Sequence, residues 1–182
     1  MRDALATSAR RTASARLVSH LAEMLADGRL HGTTFGLYSP IGSEVDTARL
    51  AGVLRAAGLR TAYPRVVPPR TLEFCLVDDE AELGPGAFDI PAPQATAPGL
   101  PLSEIDVFLV PALAVAADGH RLGYGGGYYD ATLAAAPRAT RIAPVYDVQI
   151  ISGLPSSPGD EVLDWIVAAD RGAVRALPGR QP

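Results

Sequence analysis

The chain has 182 residues, 48% hydrophobic and 20% charged, with a formal net charge of −4 at pH 7. This size and balance suit one soluble domain over residues 1–182, large enough to bury a sheet between two helix layers, and supply no basic field for a general nucleic-acid partner. All 16 basic residues are arginine, which excludes a Walker-type phosphate lysine and Schiff-base chemistry.

The single cysteine, Cys75, lies in the apolar run LEFCLV and reads as a small buried hydrophobe rather than half of a disulfide. No stretch approaches 18 consecutive apolar residues, so the expectation is a cytoplasmic protein without a membrane span.

Apolar residues Leu5, Leu17, Val18, Leu21, Met24 and Leu25 recur at helical spacing over residues 2–26, predicting one helix or two in line. Arg2, Ala6 and Arg10 fall four apart, which would stack two guanidinium groups on one helical face, toward a phosphate chain or merely toward solvent. Residues 33–38 (TTFGLY) read as a first strand that stops at Ser39-Pro40. The loop that follows leaves the carboxyl end of a strand, where open α/β sheets bind ligands, and makes Glu44 a candidate site carboxylate. Asp46 or Thr47 can cap a helix over residues 48–57 that closes at Gly58.

Residues 59–63 predict a short strand ending at Pro64, and residues 71–77 another near the sheet edge. Residues 80–101 carry eight Pro or Gly and no periodicity, so they form a long irregular connection. The apolar run IDVFLVP, residues 105–111, marks a central strand buried on both faces. Residues 114–119 lead into a glycine-rich loop, a helix follows to residue 136, residues 141–146 and 166–168 are further strands, and the remainder reads as a polar tail.

That loop, RLGYGGGYYD at residues 121–130, is the chemical centre of the sequence. Gly123, Gly125, Gly126 and Gly127 lack a Cβ, so their N–H groups can approach an anion at the start of the next helix, whose partial positive charge suits a phosphate. Asp130 would repel such a ligand unless a cation lay between them, and magnesium is the usual one.

Together with YSPIGSEVDT (38–47), VFLVPALAV (107–115), YPRV (63–66), FDIPAP (88–93) and VQIISGLPSSPGDEVLDWIV (148–167), this loop resembles the motifs of the 5-formyltetrahydrofolate cyclo-ligases, also called methenyltetrahydrofolate synthetases. The resemblance runs in the family's order over nearly the whole chain. It implies a three-layer α/β/α sandwich with a mostly parallel central sheet, and magnesium- and ATP-dependent cyclisation of 5-formyltetrahydrofolate to 5,10-methenyltetrahydrofolate, with ADP and phosphate released. A non-catalytic folate- or nucleotide-binding relative is the alternative.

Carried over by position, the resemblance implies ATP contacts at Arg2, Arg10, Arg121, Leu122, Gly123, Tyr124, Gly125, Gly126, Gly127, Tyr128 and Tyr129. Folate contacts fall at Ser39, Glu44, Tyr124, Gly125, Gly126, Gly127 and Tyr128. Arg121, Tyr128 and Asp130 would be catalytic, and Asp130 and Asp160 would hold magnesium. The partners implied are small molecules, with no nucleic acid and no membrane, for a monomer or weak homo-oligomer. The chain departs from the family's N-terminal K-x-x-L-R pattern at Ala6, which stands where a basic residue is usual.

Overall fold

The computed structural model describes residues 2–176. After a 3-10 turn at Arg2–Ala4, the chain runs α1 (Thr7–Ala26), β1 (Thr34–Gly36), α2 (Ala48–Ala56), β2 (Arg60–Val67), β3 (Thr71–Leu76), β4 (Val107–Leu109) and β5 (Ala114–Ala116). It continues through β6 (Arg121–Leu122), α3 (Tyr128–Ala135), β7 (Thr140–Val145), β8 (Ile150–Ile151), β9 (Trp165–Ala168) and β10 (Gly172–Arg175). The main sheet has seven strands in the order β10-β9-β7-β4-β1-β2-β3. Its five inner strands are parallel, while β3 and β10 close the edges antiparallel.

Strand alternation divides the core into two layers. Phe35, Leu37, Val107, Leu109, Ile142 and Val167 face α1 and α2, which bury Leu17, Leu21 and Met24, and Leu50 and Leu54, at helical spacing. Phe74, Phe108, Val110, Ala143, Val145 and Ile166 face the other way, onto Leu133 of α3 and onto Leu100, Leu102 and Ile105 of the irregular connection. The α/β/α sandwich expected from the sequence is therefore the observed architecture, with helices on both faces of a mostly parallel sheet.

From β1 the chain moves outward to β2 and β3, then returns to the opposite side of β1 and builds outward through β4, β7 and β9. The order thus reverses between β1 and β4, and the crevice at the carboxyl ends of these two strands is where an open sheet of this kind binds ligands.

Several expectations change. Arg2 and Arg10 do not share a helical face: Ala6 is extended (φ −57°, ψ 146°), so the Arg2–Ala4 turn is separate from α1, whose first backbone bond runs from the Arg10 N–H to the Ala6 carbonyl. β2 continues through Pro64 to Val67, because β1 pairs only with Arg60, Thr61 and Ala62 and nothing on that side needs a proline N–H. Residues after 168 are not all tail: β10 pairs with β9, beginning at Gly172 (φ 74°), and residues 177–182 lie outside the described part. A second sheet, β6-β5-β8, had too few residues per strand to show periodicity. Among the described residues, no helix is long and apolar enough to cross a membrane.

Candidate active site

The loop after β1, residues 37–47, forms one wall at the crevice. The Asp46 carboxylate accepts the Ala48 N–H at 3.0 Å and caps α2, while the Thr47 hydroxyl turns inward to the Tyr38 carbonyl at 2.6 Å. With its far end so fixed, the loop folds back on itself, and the Ile41 N–H donates to Glu44 Oε2 at 2.8 Å. The Glu44 side chain is only 3% exposed, so its charge requires partners. They are Arg2, with Nη1 3.5 Å from Oε1, and the Tyr124 hydroxyl, which donates to the same oxygen at 3.2 Å. The Ser39 hydroxyl donates to the Pro91 carbonyl at 2.6 Å, tying the irregular connection to this wall.

Arg2 gathers these parts. Its guanidinium donates to the Tyr124 hydroxyl and to the Ala112 carbonyl after β4, and lies 5.8 Å from the Tyr124 ring centroid. Ser43 holds the adjoining Asp3 by a hydrogen bond, which keeps the Asp3 carboxyl below the ordinary aspartate range. Arg10 stands apart, in the first turn of α1, bonded to the Thr7 hydroxyl at 3.2 Å. A cleft of about 430 Å³ lies between α1 and the turn after β7, lined by Leu5, Ser8, Thr12, Arg16, Tyr146 and Asp147 among others, and none of the network residues lines it.

In the glycine-rich loop the glycines divide by physical role. At Gly123 and Gly126 a Cβ would meet Arg121 Nη1 at 3.1 Å and the Tyr128 ring at 2.8 Å, so these two make room for side chains. Gly125 (φ 80°) and Gly127 (φ 69°) have left-handed backbone, and a Cβ at either would meet open space, up to the start of α3. Tyr124, 59% exposed, crosses from the loop tip to Arg2 and Glu44, and Leu122 is exposed beside it.

Arg121 is folded under the loop, with its side chain 7% exposed and Nη2 donating to Asp130 Oδ1 at 2.8 Å. Its Nε and the Tyr129 hydroxyl are buried without a hydrogen-bond partner among the described residues, and the guanidinium lies 5.9 Å from the Tyr129 ring centroid. Burial, reinforced by the charge of Glu44, pushes the Tyr129 phenol far above its ordinary range, so it is a neutral donor. Burial is also the first cause of the raised Tyr124 phenol. Two buried donors without a partner, on side chains that flank the glycine loop in sequence, fit an anion with several oxygens.

Asp130 Oδ1 also accepts the Glu161 N–H at 3.2 Å, which brings the segment carrying Asp160 against the start of α3. The Asp160 carboxylate accepts the Ser157 N–H at 2.7 Å through Oδ2. Among the described residues, no group of three or more His, Cys, Asp or Glu side chains is gathered as a metal cage. Magnesium is commonly held by only one or two carboxylates together with substrate phosphates, and the hydrogen bonds to Asp130 among the described residues, from Arg121 and the Glu161 N–H, both use Oδ1, so Oδ2 is the oxygen that could take such an ion. Tyr128 sits at the first position of α3 and packs into the α3-side core.

The family model for 5-formyltetrahydrofolate cyclo-ligases matches residues 1–169. The chain belongs to this family. A cyclo-ligase from Mycolicibacterium smegmatis is 35% identical over 153 residues, 80% of this chain and 78% of that protein. The Escherichia coli K12 cyclo-ligase is 30% identical over 143 residues, 76% and 79% of the two chains. The solution structure of Aquifex aeolicus 5,10-methenyltetrahydrofolate synthetase is similar with a TM-score of 0.82 at 28% identity, covering 100% of this chain and 90% of that one. A solved structure of a Mycoplasma pneumoniae 5,10-methenyltetrahydrofolate synthetase is similar with a TM-score of 0.73 at 26% identity, covering 91% of this chain and 90% of that one. This cyclo-ligase family member is accordingly an enzyme of that kind.

Of the residues singled out in sequence, the structure brings Arg2, Glu44 and Tyr124 into one network and Arg121, Tyr129 and Asp130 into another, with Ser39 on the Glu44 side. Arg10 joins neither through a direct hydrogen bond among the described residues. Sequence reading missed Tyr146, whose hydroxyl donates to the Glu44 carbonyl at 3.2 Å, together with Gln149, Asp3 and Ser43. Tyr146 follows the carboxyl end of a parallel strand, as Tyr38 does, which is the signal that could have found it.

Proposed function

We propose that this enzyme closes 5-formyltetrahydrofolate to 5,10-methenyltetrahydrofolate in an ATP- and magnesium-dependent reaction that releases ADP and phosphate. The observation that carries the reading is the meeting of two loops at the switch point, where Tyr124 of the glycine loop rests on Arg2 and Glu44. A polyphosphate on one loop and a second substrate on the other would touch there, as direct phosphoryl transfer requires.

A formamide oxygen is a poor leaving group and must be activated. In this reading it attacks the γ-phosphorus, the bond to the ADP oxygen breaks, and an iminium phosphate results. N10 then attacks the formyl carbon and loses its proton, and the carbon–oxygen bond breaks as phosphate departs with the electron pair.

The chain's own part is binding, orientation and charge. The backbone from Leu122 through Gly123, Gly125, Gly126 and Gly127 to Tyr128 would cradle the triphosphate at the start of α3, with Arg121 Nε and the Tyr129 hydroxyl supplying the orphaned donors. Arg2 would serve the phosphates from the seam, with Arg10 as a more distant cation. Glu44 would accept N–H groups of the pterin, with Ser39 beside it. Asp130 and Asp160 would hold magnesium, which when bound neutralises charge on the transferring phosphoryl group. A cytoplasmic setting with small-molecule partners, in a monomer or weak homo-oligomer, belongs to the same reading.

The experiment is direct. Purified protein with 5-formyltetrahydrofolate, magnesium and ATP is followed by methenyltetrahydrofolate absorbance, alongside Asp130→Asn. Product is expected from the wild type and a loss on the order of a hundredfold or more from the variant. Binding without product, or full turnover by Asp130→Asn, would defeat the assignment.

A further inference from the structure

Gln149 ends the 3-10 turn Asp147–Gln149 directly after β7 and is 2% exposed. Both ends of its carboxamide are used. Oε1 accepts the Tyr146 N–H at 2.9 Å, and Nε2 donates to the Ala112 carbonyl at 2.7 Å and to the Leu113 carbonyl at 3.3 Å. The Ala112 carbonyl is also the oxygen that Arg2 Nη1 reaches at 3.3 Å. Tyr146, whose N–H Gln149 holds, donates its hydroxyl to the Glu44 carbonyl. One buried side chain therefore bolts the turn after β7 to the turn after β4, and each of those turns touches a different member of the Arg2–Glu44 pair.

The residue type follows from what it faces. Two carbonyl oxygens on one side call for two N–H donors and one N–H on the other calls for an acceptor, and a carboxamide at this length supplies all three. Packing alone would be met by an apolar side chain with no carbonyl to hold.

We propose that Gln149 is a positioning residue of the active site, acting on nucleotide binding through Arg2 by fixing the Ala112 carbonyl on which that guanidinium docks. The inference rests on the reading that Arg2 serves the phosphate-bearing substrate. Without the carboxamide donor, the Ala112–Leu113 peptide is held on its N–H side alone, by the 2.7 Å bond to the Leu122 carbonyl, and its carbonyl side loosens. Arg2 then loses the anchor that holds it between Tyr124 and Glu44.

The test is a double-mutant cycle on the ATP KM. Gln149→Met removes the donor in a near-isostere, and Gln149→Glu keeps the acceptor for Tyr146 while setting an oxygen against two carbonyls. Each is combined with Arg2→Ala, and urea midpoints report folding. Arg2→Ala and either Gln149 variant are each expected to raise the ATP KM on the order of tenfold, and the double variants to be no worse than Arg2→Ala alone. A core-filling role would give independent, multiplying effects, and that result in an active wild type overturns the inference alone. Loss of folded protein in both Gln149 variants also overturns it, because the residue would then be structural. A wild type without ATP-dependent product overturns the underlying reading and the inference with it.

Discussion

Gly36→Ala tests how the central strand carries the site. Gly36 lies in β1, paired with β2 on one side and β4 on the other. A Cβ there would stand 2.8 Å from Phe108 Cδ1, 3.0 Å from Phe108 Cε1 and 3.1 Å from Phe74 Cε1. These rings are fully buried and meet edge to face with centroids 5.2 Å apart. Neither ring can retreat into solvent, and β1 cannot shift without loosening its pairing on both sides. Overpacking costs about 1–3 kcal/mol and disturbing the aromatic pair about 0.5–1.5 more, while alanine's smaller unfolded-state entropy returns about 0.4–1. The net loss is about 0.5–4 kcal/mol, at its upper end a large share of a domain's usual stability. Urea denaturation should show a lower midpoint at unchanged m-value, and Phe108→Leu should cost less in the Gly36→Ala background than in the wild type, because the smaller side chain relieves the clash. A loss under about 0.5 kcal/mol, or strictly additive costs, would refute this account of the packing.

Further outcomes follow from the site. Ala6→Arg should leave the ATP KM within about twofold, since Ala6 is extended and off the helix, while Arg2→Ala should raise it on the order of tenfold; the reverse ranking in steady-state kinetics would restore the single-face idea. Glu44→Gln keeps the shape of a side chain that is 3% exposed but removes its charge, and should raise the folate KM far more than the ATP KM, equal shifts counting against the division of labour. Asp106→Ala strands the Thr33 and Thr34 N–H groups that Asp106 Oδ2 accepts at 2.7 and 3.1 Å, and should cost about 1–3 kcal/mol in urea denaturation. Partial burial acts to raise the Asp106 carboxyl, but these donors outweigh it and hold the group below its ordinary value. Its contribution is therefore complete above about pH 3.9 and is lost as pH falls below that, so wild type and Asp106→Ala should converge in stability there; curves that stay parallel into acid would deny the bond its role.

The order of elements was legible because each carries a local cause. Apolar residues at spacings of three and four mark α1 and α2, the run around Val107–Leu109 marks a strand buried on both faces, and Gly58 and Ser39-Pro40 mark ends. The glycine loop and Glu44 could be singled out as candidates, since backbone without Cβ and a carboxylate after a strand both have local signatures. Only the tertiary structure decided which of these residues meet. Arg2 and Glu44 are 42 positions apart in sequence and Arg2 and Tyr124 are 122 apart. Helical spacing paired Arg2 with Arg10 instead, because a pattern of four cannot show that Ala6 turns extended and sends Arg2 to the crevice. Gln149 was invisible for the same reason: its role lies in the Ala112 and Leu113 carbonyls, which any sequence presents and only the strand order sets opposite it.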